Sequence, residues 1–271
     1  MDQSLWLIPL GFVIGTFGTL IGAGGGFVLM PVLLLLYPSK SPEIITSISL
    51  AVVFFNTLSG SGAYARMKRI DYKSAFWFSA ATIPGAILGA LTTAFVPRSL
   101  FNAFFGLFLI GASIFLLLRP GPDPKKKKSP SKYWLTRNLI EADGTRHTFS
   151  FNPVLGIGLS FFVGYVSSLL GIGGGIIHVP VLIHLLNFPV HIATATSHLI
   201  LAVMAFVGTA VHIAAGSFSS GIQQTFFLVI GVLVGAQLGA RLSTRVHGDW
   251  IIRGLGIALG FVGIRIFIMA L

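Results

Sequence analysis

The sequence predicts an all-α integral membrane protein made of two homologous halves, and three observations predict it. Hydrophobic residues make up 54% of the 271 residues and charged residues only 9%, with a mean hydropathy of +0.90. A water-facing domain carries about 25% charged residues, and a disordered chain needs low hydrophobicity with high charge, so both classes are excluded. Long uncharged stretches follow one another along the chain, each near or above the roughly 20 residues a membrane helix needs. Two of them are overlong and carry the same glycine-rich interruption. The 33 glycines suit transmembrane helices packed at close range.

Taken in order, Met1-Asp2-Gln3-Ser4 has no basic stretch before its apolar run, so it reads as mature membrane sequence rather than a cleaved signal. Residues 5–37 as one straight helix would be about 50 Å long at 1.5 Å per residue, against a hydrocarbon core of roughly 30 Å. Gly22-Ala23-Gly24-Gly25-Gly26 interrupts this stretch and Pro31 follows, which predicts two short helical pieces joined at a break. Spans 44–65, 74–96 and 99–118 complete the first half, residues 1–118. Residues 119–152 form a basic linker with eight Lys/Arg against three acids. In it, Pro120 to Pro130 predicts an extended Pro/Lys-rich run, whose Lys125 to Lys128 can also meet anionic lipid headgroups. Asp143-Gly144 between the β-prone runs Tyr133–Ile140 and Arg146–Phe151 predicts a small hairpin. The second half, residues 153–271, repeats the plan. It has an overlong stretch 154–186 broken at Gly171-Ile172-Gly173-Gly174-Gly175 and followed by Pro180, then spans 192–214, 220–241 and 250–271. Arg253 and Arg265, near the ends of the last span, can snorkel to the interface.

The repeat is legible residue by residue. Gly22–Pro31 pairs with Gly171–Pro180, Thr46–Leu50 with Thr194–His198, Gly60 with Gly208, and Gly85 and Gly89 with Gly231 and Gly235. Each half is thus a glycine-broken hairpin plus three spans, for about 8–10 membrane segments in all. Internal repeats with broken helices are the signature of many secondary transporters.

The net charge of +11 reports orientation, not a nucleic-acid partner, because of where it falls. If each broken stretch dips in and returns, or crosses twice, three basic regions share one side: Arg66 to Lys73, Arg241 with Arg245 and Arg253, and the linker. If each crosses once, the Arg241/Arg245 loop moves to the far side. The first scheme obeys the positive-inside rule better. It implies inverted halves, a cytoplasmic linker and both termini outside.

A break at membrane depth exposes backbone groups that protein, water or ligand must satisfy. The half-helix after each break begins with free N–H groups and a positive dipole end, so two facing breaks make an anion site without buried Lys or Arg. Gly24, Gly25 and Gly26 with Gly173, Gly174 and Gly175 are therefore the leading candidates, against the alternative that they serve only close helix packing. Thr46, Ser49 and Asn56 in the first half, and Thr196, Ser197 and His198 in the second, are polar groups in the spans that follow. They can donate hydrogen bonds to an oxyanion in a dry pocket, or simply bond back to their own helices. Ser47 and Thr194 belong to the same clusters.

Other chemistries are weaker. Six of the seven histidines lie in the second half, but no carboxylate accompanies them, so a metal transporter is a minor alternative and no cofactor is expected. His178 and His198 fit a proton-sensitive role better, and His191 and His247 an interfacial one. No Asp or Glu falls inside a span, which removes a carboxylate relay. There is no phosphate-binding loop for ATP, and no cysteine for a disulfide or thiolate site. Thr57-Leu58-Ser59-Gly60, with His198 or His212 as base, is a faint intramembrane hydrolase alternative that lacks the usual leading glycine.

These residues together resemble the TauE/SafE sulfite exporter family of bacterial membrane proteins. The resemblance rests on Gly22–Pro31, Gly171–Pro180, Thr46–Leu50, Thr194–His198, the run Tyr64 to Tyr72 and the Ala-Asp-Gly hairpin, and it covers nearly the whole chain. Where members often have Gly-Thr-Ser-Leu, this chain has Ser47-Ile48-Ser49-Leu50. The resemblance implies transport of a small sulfur-containing anion, such as sulfite, thiosulfate or sulfoacetate, across the bacterial plasma membrane. The expected partners are that anion and the lipid bilayer, with the chain acting as a monomer or homodimer. Alternating access is the expected mechanism, with an anion channel as the alternative, and the chain is not expected to be an enzyme.

Overall fold

A computed structural model describes residues 4–118, 134–243 and 249–270, and the side chains of 116, 249–255 and 258 are not among those described. The extended linker run, Lys125–Lys128, Arg245, His247 and the side chain of Arg253 lie outside the described residues. The chain is an all-α integral membrane protein. The order is α1 (Leu7–Ile21), α2 (Gly26–Leu36), α3 (Pro42–Arg66), α4 (Tyr72–Thr93), α5 (Arg98–Leu118), β1 (Leu135–Ile140), β2 (Arg146–Phe151), α6 (Pro153–Leu170), α7 (Gly175–Pro180), α8 (Val190–Ala214), α9 (Ile222–Leu242) and α10 (Asp249–Ile268). Among the described residues, six helical stretches are long and apolar enough to cross a membrane: α3, α4, Arg98–Phe115, α6, α8 and Ser217–Leu242.

Local chemistry sets the boundaries. Ser41 caps α3 by accepting from the Ile44 N–H, with Pro42 in the first turn. Asp71 caps α4, its carboxylate accepting from the Ser74 hydroxyl and backbone N–H. Asn152 caps α6 ahead of Pro153. Gly22 and Gly171 close α1 and α6 in the left-handed conformation, at φ +84° and +67°. Pro31 leaves α2 helical to Leu36, whereas after Pro180 the chain widens into a single π turn, Val181–Leu185.

The halves match element for element but exchange partners. Helix α1 packs on α9, and α6 packs on α4; α3 meets its counterpart α8, and α5 meets its counterpart α10. The glycines make the exchange possible. A Cβ at Gly231 or Gly235 would lie 2.1 or 2.3 Å from the carbonyl oxygens of Ile8 and Phe12 in α1. One at Gly85 or Gly89 would lie 2.2 or 2.3 Å from those of Phe161 and Tyr165 in α6. These registers advance together, so α1 runs parallel to α9 and α4 to α6. The equivalent pairs run antiparallel: Gly60 lies beside His198 while Gly208 lies beside Leu50, and Gly106 faces Phe267 while Gly260 faces Ser113. Helices α3 and α8 form the buried centre. Phe76, Trp77, Phe104, Leu107, Phe162 and Phe226 project from the outer helices as exposed apolar surface suited to lipid.

Both glycine-broken segments return to the end they entered. At one end, Lys40 Nζ donates to the Ser220 carbonyl just before α9 (2.6 Å), and Arg98 donates to the carbonyls of Lys40 and Leu34. That places the start of α1, parallel to α9, and the finish of α2 together. At the other end, Asn187 Nδ2, after the π turn, donates to the Ser150 carbonyl just before α6 (3.3 Å). The hairpin docks there too. The Ala142 N–H donates to the Met67 carbonyl (3.0 Å), and the buried Glu141 carboxylate pairs with Arg69 (2.6 Å) and His147 (2.7 Å). Arg137 lies 3.6 Å from Asp71. At the exposed hairpin tip, the Thr145 N–H donates to Asp143 and holds its carboxyl below the usual range.

Candidate functional site

The two glycine breaks meet inside the protein, backbone against backbone. A Cβ at Gly26 would lie 2.6 Å from the Ile172 carbonyl carbon and oxygen, and one at Gly175 would lie 2.3 Å from Ala23 Cα. Only glycine permits this approach. The conformation selects glycine as well: Gly24, Gly25, Gly173 and Gly174 all have φ between +72° and +81°. After two left-handed residues the chain enters α2 or α7 with its first N–H groups lacking intrahelical acceptors. Thr194 covers Gly22, and Thr46 covers Gly171. Each glycine loop is thus flanked by the first turns of the other half's central helix.

Of the expected ligands, Ser49 donates its hydroxyl to the Gly171 carbonyl (2.6 Å), tying α3 to the second loop. Asn56 Nδ2 donates to the Gly24 carbonyl (2.9 Å) and Asn56 Oδ1 accepts from Thr19 (3.2 Å), tying α3 to the first loop. Thr46, Ser197 and His198 are fully buried, and neither the two hydroxyls nor either ring nitrogen of His198 meets a partner in hydrogen-bonding geometry. The His198 ring lies against Gly60 and stands edge-on to Tyr64, whose hydroxyl donates to the Thr19 carbonyl (2.9 Å). Thr196 is turned away: its Oγ1 accepts from the Asp71 N–H (3.1 Å) and anchors α8 to the start of α4. Ser47 bonds back to the Ile44 carbonyl in its own helix (2.7 Å).

Four further residues belong with these. Ser167 Oγ lies where a Cβ on Gly174 would point, and Ser168 Oγ lies against Gly208; both are buried without partners. Thr19 and Tyr64 complete the group on the first-half side. The repeat could have found two of them, because Thr19 and Ser168 stand three residues before Gly22 and Gly171 respectively. No Lys, Arg, Asp or Glu is among these residues. What the arrangement can do is donate hydrogen bonds from backbone N–H groups, hydroxyls and an imidazole in a water-poor space, which suits an anion.

The weaker chemistries find less support. Among the described residues no group of three His, Cys, Asp or Glu is placed to hold a metal. Ser59 Oγ donates to the Leu233 carbonyl (3.0 Å) and accepts from Gln237 (2.9 Å), while His212 Nδ1 is 3.3 Å from Ser217. His178 Nε2 is 3.3 Å from Ser160, one layer away from the loops.

Residues 7–266 match the family model described as Sulfite exporter TauE/SafE. The chain belongs to this family. A probable membrane transporter protein of Bacillus subtilis is 32% identical over 96% of both chains. Another, of Methanocaldococcus jannaschii, is 23% identical over 97% of this chain and 96% of its own. No solved structure matches. The TauE/SafE match takes in both glycine breaks and all six helical stretches long enough to cross a membrane. The chain is a membrane transporter.

Proposed function

We propose that this transporter carries a small sulfur-containing anion, such as sulfite, thiosulfate or sulfoacetate, by alternating access about the paired glycine loops. One observation carries the reading: two abutting left-handed glycine loops lie beside the buried, unpartnered hydroxyls of Thr46 and Ser167, while α8 carries the equally buried and unpartnered Ser197 hydroxyl and His198 imidazole. These residues include no carboxylate to offset a cation's charge, whereas an oxyanion would accept from the hydroxyls and imidazole of Thr46, Ser167, Ser197 and His198 and from the N–H groups at the start of α2 and that of Ile176 in α7. Gly24 to Gly26 and Gly173 to Gly175 let the backbone come close enough to donate. Ser49 and Asn56 fix the loops in place.

The exchanged packing also suggests which parts move. The bodies are not residues 1–118 against residues 153–271. Helices α1 and α3 pack with α9 and hold α2 between them, and α6 and α8 pack with α4 and hold α7. These two bundles meet along α3 and α8, with the glycine loops at their junction. Rocking one bundle against the other opens the junction without breaking the glycine-tight α1–α9 and α4–α6 contacts. The antiparallel pairing of α3 with α8 supports halves that are inverted across the membrane. The basic hairpin end supports a cytoplasmic linker in a bacterial inner membrane.

The test is uptake of labelled sulfite, thiosulfate and sulfoacetate into proteoliposomes, with wild-type protein beside Ser197→Ala and His198→Gln. Wild-type flux that saturates and is stimulated by anion on the far side, with KM raised at least several-fold in either variant, is the expected result. Single-channel currents, or variants equal to wild type for every anion, would overturn it.

A further inference from the structure

At the hairpin end, a cavity of about 520 Å³ opens between α3, α9 and the hairpin. Its wall includes Arg66, Arg69 and Arg241, with Gln237 and Ala63 deeper and Glu141 and Asp143 on the hairpin side. We infer that this cavity is a receiving site for the transported oxyanion, distinct from the glycine loops and held by arginine rather than by backbone dipoles. The inference rests on the transport reading above.

The charge arrangement carries it. Both carboxylates in the wall are engaged, Glu141 with Arg69 and His147, and Asp143 with the Thr145 N–H. Glu141 contacts Arg69 through Nε at 2.6 Å. Arg66 is exposed at the rim. Planar guanidinium forks match the geometry of sulfonate and sulfite oxygens better than an ammonium does. The opposite end differs, because Lys40 and Arg98 there are both spent on backbone carbonyls. A positively lined cleft with apolar walls raises the local concentration of anions.

The cavity also lies on the way to the loops. Ala63, Gly60 and Asn56 follow one another at helical spacing on one face of α3. Ala63 lines the cavity, Gly60 touches His198 and Thr19, and Asn56 holds Gly24. Between cavity and loops, Gln237 Nε2 donates to the Ser59 carbonyl (2.7 Å) and hydroxyl (2.9 Å), joining α9 to α3.

The natural absence of cysteine makes a direct test simple. Met67 lines the cavity, so Met67→Cys is labelled in solubilised protein with an anionic and a cationic methanethiosulfonate. The expected result is faster labelling by the anionic reagent, with that preference falling by about threefold to tenfold when Arg66→Gln is added. Lys40→Gln at the other end leaves it unchanged. Sulfoacetate slows the labelling, and dihexanoyl phosphatidylglycerol does not. A preference indifferent to Arg66→Gln overturns the inference, as does protection by neither compound. Protection by the lipid equal to that by sulfoacetate also overturns it, by making the cavity a headgroup site. Wild-type proteoliposomes that move no sulfur oxyanion would defeat the transport reading separately, since the labelling result stands without flux.

Discussion

Gly60 and Gly208 occupy equivalent places on α3 and α8, and each is the floor of a small cradle. At Gly60 the walls are Thr19 from the first glycine-broken hairpin and His198 from the opposite half. At Gly208 they are Ser168 from the second hairpin and Leu50 from the opposite half. The frame is duplicated down to the contact, yet one cradle ends in an imidazole and the other in an aliphatic chain. One turn along, Tyr64 stands where the second half has His212, and Asn56 where it has Met204. The shared frame therefore sets the geometry of both cradles, and a few residue differences polarise it. The first cradle holds its loop through a hydrogen-bond chain from Tyr64 and Thr19 through Asn56 to Gly24. The second offers orphan hydroxyls, and His198 reaches from it across the junction.

The largest effect is expected from restoring bulk where the loops touch, because this attacks what the two halves share. Gly175→Val or Gly26→Val puts side-chain atoms into the opposing backbone, and overpacking of this kind costs about 1–3 kcal/mol or more. Uptake should disappear in both, while Gly158→Val, where a Cβ meets nothing within 4 Å, should leave uptake and thermal stability unchanged. Active Gly175→Val protein would mean that the loops do not need close approach.

Next comes His198→Leu, which gives both cradles the same aliphatic wall. Burying a polar ring without partners costs of order 1–3 kcal/mol on protein scales, so the variant should melt at the same temperature or higher in detergent. Uptake should nevertheless fall at least tenfold. A variant that loses stability and uptake in parallel would make His198 a structural residue.

The equivalent serines give a smaller and opposite pair of effects. Ser49→Ala removes a bond to the Gly171 carbonyl and should cost about 1 kcal/mol, in keeping with polar contacts between membrane helices. Ser197→Ala removes a hydroxyl with no partner and should cost almost nothing, yet raise KM. Melting curves and uptake kinetics of the two variants separate a loop clamp from a ligand.

The legible and illegible parts of this site divide along physical lines. Glycines at fixed offsets in an overlong apolar stretch announce a backbone break, since glycine adopts the left-handed conformation at least cost and no straight helix of that length fits the membrane. Lys and Arg positions similarly argued for returning hairpins, and Asn187 bonding to Ser150 shows how the second one closes. The exchange of partners was not legible. Gly231 and Gly235 look the same in sequence whether they receive their own hairpin or the other half's, because a glycine face specifies close approach and not its occupant. Thr196 illustrates the same limit. Its place in a polar cluster was clear, but its hydroxyl follows the helix rotation to Asp71, away from the loops. Ser167 carries no such signal, because hydroxyls in apolar helices usually bond to their own backbone, and Ser168 is marked only by its place three residues before Gly171.

The smallest expected effect tests whether the polarity between the cradles has been assigned the right way round. Thr19 and Ser168 are equivalent, but Thr19 donates to Asn56 while Ser168 has no partner. Thr19→Val should therefore cost about 0.5–1.5 kcal/mol, with flux lowered through slackening of the Gly24 clamp. Ser168→Ala should change stability by no more than about 0.5 kcal/mol, as for a substitution that breaks no interaction, with uptake within twofold of wild type. The Oγ of Ser168 lies against Gly208, eleven residues and about three turns along α8 from Ser197, so an anion held by Ser197 and His198 has little use for it. If Ser168→Ala abolished uptake while Thr19→Val did not, the anion would sit in the aliphatic cradle, and the imidazole would serve packing.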